Sequence, residues 1–106
     1  MVIIVINMVS YKIRYCDSLI SKAIGFMFSF NPEEVLVFRF KKEKRRSLHM
    51  FFVFFNINVI FLDKDKKMVE KTRLKPFSVY TSRKKVMYII EMPEGCDKKV
   101  LKDIRL

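Results

Sequence analysis

From Tyr11 to Cys16 the chain alternates Tyr11, Ile13 and Tyr15 with Lys12, Arg14 and Cys16, the period of two that marks a strand with one buried and one wet face. After it, Leu19, Ile20, Ala23 and Ile24 recur at helical spacing. Asp17 or Ser18 can cap that turn and Gly25 can end it, so the spacing predicts a short helix near residues 18–25. FNPEE, residues 30–34, reads as a turn because Pro32 pushes Asn31 out of the helical region. Val35 to Phe40 is the next predicted strand, and KKEKRRS, residues 41–47, an exposed hairpin loop.

The most apolar stretch is HMFFVFFNINVIFLD, His49 to Asp63. Both alternating sets of MFFVFF are apolar, which predicts a strand with neither face in water. Asn56 breaks it, and INVIFLD begins a second strand, followed by a DKDKK turn and the returning strand MVEKTRL, so a hairpin is expected. Residues 74–85, LKPFSVYTSRKK, read as a loop or edge segment because Pro76 cannot donate to a ladder. VMYIIEM is a further strand, PEGCD a turn, and KKVLKDIRL a helical turn with a short strand. The opening MVIIVINMV lacks the basic segment and small-residue cleavage site of a signal peptide and reads as a first strand.

These elements define a mainly β protein, with α+β as the alternative class: a small antiparallel β sandwich or distorted barrel with one short helix near 18–25. At 106 residues one domain, 1–106, is expected. Composition agrees, since 11 Phe, no Trp and a hydrophobic fraction of 51% supply bulky core material of high β propensity. No apolar run reaches the roughly 20 residues of a membrane-spanning helix, so no membrane span is expected. Cys16 and Cys96 match no metal spacing and read as reduced, which points to the cytoplasm.

Charge adds a candidate partner. With 22 basic and 11 acidic residues the net charge is +11, enough to attract nucleic acid, phosphate ligands or acidic lipid surfaces. The basic loop Lys41, Lys42, Lys44, Arg45 and Arg46 is the candidate contact, joined by Arg83, Lys84 and Lys85 and by Lys64, Lys66 and Lys67 if these loops share one end of the sheet. A solvated loop that keeps the protein soluble is the plain alternative. Most Phe are expected in the core, with Phe77 and Tyr80 the better exposed rings for stacking.

Taken together, GFMF at Gly25 to Phe28, HMFFVFFNINVIFLD at His49 to Asp63, KPF at Lys75 to Phe77 and EMPEG at Glu91 to Gly95 resemble, in order and spacing, a bacterial and archaeal family. It is named domain of unknown function 192, or uncharacterised protein family 0127, and its archaeal branch is the nearer likeness. The resemblance covers about residues 11–106. It implies a single small, mainly β domain, a distorted sandwich or barrel with a short helix, and it implies no reaction. Gly25, Phe26 and Met27 stand where the family has Gly-Leu-Met, and His49 and Met50 where it has His or Trp followed by Met. Asn56, Ile57 and Asn58 replace a usual Pro-Ile-Asp, and Lys102 and Asp103 a usual Gly-Asp. An amide at 58 has no titratable proton, so it cannot act as a carboxylate would.

The candidate ligand pocket is therefore His49, Met50, Asn58, Gly25 and Met27, with Phe51 beside it. The sequence offers no catalytic set, metal site or cofactor loop: His49 is the sole histidine, and Gly25 and Gly95 are the only glycines. The first reading is a non-catalytic binding or accessory module. The alternatives are a nucleic-acid-binding protein using a basic loop face, and an enzyme whose His49 lies in a cleft beside an acid such as Asp63 or Asp103.

Overall fold

The computed structural model describes residues 2–6, 9–17, 25, 33–94 and 104–106. Eight strands form in chain order: β1 (Val2–Ile6), β2 (Val9–Cys16), β3 (Glu34–Lys44), β4 (Ser47–His49), β5 (Ile57–Leu62), β6 (Met68–Leu74), β7 (Val79–Thr81) and β8 (Val86–Pro93). Six of them make one sheet in the order β1-β2-β3-β8-β5-β6, and β4 pairs with β7 in a separate two-stranded ribbon. The mainly β expectation holds. Its antiparallel character holds for every neighbouring pair except β2 and β3, which run parallel, and a parallel pair requires a crossover. The predicted helix at 18–25 lies, apart from Gly25, outside the described residues, as does most of the closing KKVLKDIRL segment.

The strands are where alternation placed them because both faces of the large sheet are covered. On one face Leu36, Phe38, Ile57, Val59, Phe61, Leu74 and Ile89 pack together under Met50, Val53 and the ribbon residues Leu48 and Tyr80. On the other, Tyr11, Ile13, Val35, Val37, Ile60, Leu62, Ile90 and Met92 pack with Ile104 and Leu106. Cys16, expected on the wet face of its strand, is fully buried in the first cluster, since the sheet has no wet face there.

Two expectations are corrected. MFFVFF is no strand: residues 50–56 form a turn and irregular backbone. Met50 and Val53 point into the core, while Phe51, Phe52 and Phe54 stand 47%, 46% and 48% exposed. An all-apolar run carries no period, so alternation could not tell a doubly buried strand from a turn with rings on both sides. KKEKRRS is not a free loop either. β3 continues through Lys44, and a register shift sets Arg39 to Lys44 against only Tyr88 to Val86, so the extra residues bulge from the ladder.

Candidate functional site

Between the large sheet and the β4–β7 ribbon lies a cleft of about 470 Å³. Phe38 and Phe40 of β3 and Ile89 and Glu91 of β8 form its floor, because alternation turns these positions toward the ribbon. Ser47, Leu48, His49, Met50 and Val53 form one wall, Lys44, Arg45 and Arg46 the rim, and Gly25 closes another side. Arg14 holds Gly25 in place, donating from Nη2 to its carbonyl at 3.1 Å and from Nε to Glu34 at 2.7 Å. Gly25 needs its glycine: its φ is +49°, a left-handed conformation that a Cβ disfavours.

Glu91 is the chemical centre of the cleft. It is a carboxyl within a strand that is otherwise apolar from Ile89 to Pro93, and burial pushes its pKa up to about 8 because water is removed from the charged form. At neutral pH the group is mostly protonated and can donate a hydrogen bond. The rim is built by Ser82, whose N–H donates to Arg46 O at 2.8 Å and whose Oγ accepts from Arg46 N at 2.9 Å, while Arg45 Nε donates to Ser82 O at 3.0 Å. The Arg46 guanidinium lies 3.9 Å over the Phe40 ring and donates to Lys42 O. Its Nε is buried without a hydrogen-bond partner among the described residues, and burial lowers the Arg46 pKa from its ordinary value.

Of the candidate pocket residues, Gly25, His49 and Met50 line this cleft. Met27 lies outside the described residues. Asn58 does not join them: it shares the face of Ile60 and Leu62, the side of the sheet away from the cleft, because one residue along a strand reverses the side chain. Phe51 stacks on His49 with ring centroids 5.2 Å apart, on the solvent side of the wall. Asp63 is at the far turn, where its Oδ1 accepts the Asp65 and Lys67 N–H groups, and Asp103 lies outside the described residues. The acid that lines the cleft with His49 is Glu91, which composition concealed and which one signal could have found: a lone carboxyl in the apolar run VMYIIEM.

Lys41, Lys42, Lys44 and Arg45 are on the protruding end of β3, and Arg83, Lys84 and Lys85 on the turn that Ser82 ties to it. The Lys64 N–H donates to Glu43 at 2.7 Å, which brings the 63–67 turn to the same end. Phe77 is exposed, but Tyr80 turns inward and donates to Glu70, which also accepts the Arg83 N–H. Among the described residues no group of three or more His, Cys, Asp or Glu could hold a metal ion, and no helix is long and apolar enough to cross a membrane.

The two-layer fold and its lined cleft define a small β domain of binding-module build, with no assembled catalytic set among the described residues. The chain belongs to the family described as "Uncharacterized ACR", domain of unknown function 192, whose model matches residues 2–101. It is similar to the UPF0127 protein of Pyrococcus abyssi, 41% identical over 93 residues that span 86% of this chain and 78% of that protein. A second relative, from Pyrococcus horikoshii, is 42% identical over 86 residues, 79% of this chain and 74% of its own length. Two solved structures share the fold. One, from Sinorhizobium meliloti and provisionally described as a transcription regulator, has a TM-score of 0.72 at 16% identity, covering 94% of this chain and 81% of that one. The other, of unknown function from Novosphingobium aromaticivorans, has a TM-score of 0.70 at 14% identity, covering 92% and 71%.

Proposed function

We propose that this chain is a non-catalytic binding module whose ligand is a small anion with an apolar body, held in the cleft between the sheet and the ribbon. The observation that carries the reading is the composition of that cleft: apolar walls around one buried acid, with cations confined to the rim. Apolar walls with a few placed polar groups are the usual make-up of small-molecule sites. Lys44 and Arg45 supply charge-assisted contacts for an anionic head. A protonated Glu91 offers one hydrogen bond at the floor without repelling that anion. The reading keeps the module in a reducing cytoplasm, with which the free, buried Cys16 is compatible.

1-Naphthyl phosphate, an aromatic body with one phosphate, is a direct probe. Saturable binding is expected that falls about tenfold when Lys44 and Arg45 become Ser, the loss of one charge-assisted contact. Replacing Lys84 and Lys85, outside the cleft, should leave it unchanged. Glu91→Gln should keep binding because the amide still donates, and Glu91→Leu should weaken it. Absence of binding, or equal loss in both lysine variants, contradicts the reading.

An enzyme is the second reading, supported by the presence of His49 and a buried acid in one cleft. An acid protonated at neutral pH is suited to donate a proton to a leaving group. Release of 1-naphthol from the same probe, abolished by Glu91→Gln, would favour it. The nucleic-acid alternative draws on the basic end of the sheet. It requires binding to single-stranded RNA or duplex DNA that survives physiological salt and is lost when Lys41, Lys42, Lys44, Arg45 and Arg46 become Ser.

A further inference from the structure

Two turns project side by side from the ribbon at the end opposite the basic bulge. Met50 N donates to Ser78 O at 2.7 Å and Phe77 N to Met50 O at 2.8 Å, so the turns at 50–54 and 75–78 form one tip. Phe51, Phe52, Phe54, Phe77 and Val79 on that tip are 46–60% exposed. If a phenylalanine spans about 200 Å², each ring offers water roughly 100 Å², and the five side chains together reach the size of the largest apolar patch on a typical monomer. Phe52 and Phe77 also hold φ of 57° and 60°, where bulky residues with a Cβ are outliers. Backbone strain that holds aromatic rings out in solvent is the kind of cost that accompanies a working surface.

Charge identifies what the tip meets. The chain segments that build the ribbon and both turns, residues 44–62 and 71–90, contain Lys44, Arg45, Arg46, Lys71, Arg73, Lys75, Arg83, Lys84 and Lys85 and no Asp or Glu. The acids that reach them from outside are Glu70, on Tyr80 and Arg83, and Glu94, on Arg73. A net charge of +11 opposes pairing with a second copy and favours an anionic surface. Ring geometry separates the anionic surfaces. Phe77 meets Phe52 and Phe54 edge to face, with interplanar angles of 68° and 75°. Such a cluster is a compact apolar wedge, whereas bases stack on ring faces laid open one after another.

We infer that this tip is a membrane-docking surface: Phe51, Phe52, Phe54 and Phe77 enter the interfacial region of an anionic bilayer while Lys75 and the ribbon cations contact the headgroups. Apolar burial plus attraction to anionic lipid is the physics of interfacial anchoring. The site is separate from the cleft, so the two readings stand or fall apart.

Co-sedimentation with phosphatidylcholine vesicles, with and without about three-tenths phosphatidylglycerol, tests it. The wild-type chain is expected to sediment with the anionic vesicles, and the triple variant Phe52→Asn, Phe54→Ser, Phe77→Asn to bind them about tenfold more weakly. Asn tolerates the left-handed backbone at 52 and 77, and the variant's thermal unfolding checks that it stays folded. The chain has no tryptophan, so Phe54→Trp provides an independent reporter, whose indole emission should shift to the blue on anionic vesicles and stay unchanged with single-stranded RNA. No sedimentation, sedimentation retained by the folded triple variant, no shift of the indole emission on vesicles, a shift with RNA, or a dimer that the triple variant loses would each overturn the inference.

Discussion

Oε1 of Glu91 lies 3.6 Å from the point a Cβ would occupy on Gly25, with the Phe38 ring 3.7 Å from the same point. A glycine in a left-handed turn thus covers a buried carboxyl, joining residues 66 positions apart in the sequence into one wall of the cleft.

Alanine at 25 would fit the space, since both distances are ordinary van der Waals contacts, but not the backbone. The left-handed conformation costs an L-residue about 1–2 kcal/mol. Gly25→Ala is expected to lower unfolding stability by about 1 kcal/mol in a denaturant titration, with the m-value unchanged.

The pH dependence of stability should carry the signature of Glu91. Its folded pKa of about 8 stands above the ordinary value of an exposed carboxyl, so between those two pH values the folded state binds more protons than the unfolded one. Stability contributed by that proton is fully present below the unfolded pKa and is lost as pH rises through about 8. Glu91→Gln should therefore be more stable than wild type at pH 9 and show a flatter profile from pH 5 to 9. An unchanged slope would place the carboxyl in contact with water.

The turn at Asp63–Lys67 should answer two substitutions in opposite directions. Asp63 Oδ1 accepts two backbone N–H groups, from Asp65 at 2.9 Å and Lys67 at 3.0 Å, and Asp63→Ala should cost about 1 kcal/mol. Lys66 holds a φ of 65°. Lys66→Gly removes a left-handed penalty of about 1–2 kcal/mol at an entropic cost of about 0.5–1, so thermal unfolding should move upward by a few degrees.

Cys16 should be chemically silent in the folded protein. It is fully buried, and burial raises its thiol pKa to about 11, leaving little thiolate to react. In a Cys96→Ser background, labelling by a disulfide reagent at pH 8 should proceed only as fast as the chain unfolds.

The strands were legible where one residue type alternated with another. Ile57–Leu62 and Met68–Leu74 form the hairpin that DKDKK announces, and VMYIIEM lies at the sheet centre between β3 and β5. Legibility failed where alternation was silent. In MFFVFF every position is apolar, so nothing in the pattern revealed that Val53 faces the core and Phe54 the solvent. Of the cleft, Gly25, His49 and Met50 were readable through the family motif. Glu91, Phe38 and Ile89 were not, because their meeting is a product of β3–β8 register. Asn58 was misplaced for a similar reason: the motif gave its position in sequence, and the pleat decided its side of the sheet.

The most direct test of the cleft as the ligand site is a backbone-amide NMR titration with 1-naphthyl phosphate. Shifts are expected to concentrate on residues 44–50, Val53 and Ile89 to Glu91, and to saturate together. Shifts confined to Lys64–Lys67 and Arg83–Lys85, or none that saturate, would contradict the account and leave the cleft without a ligand of this class.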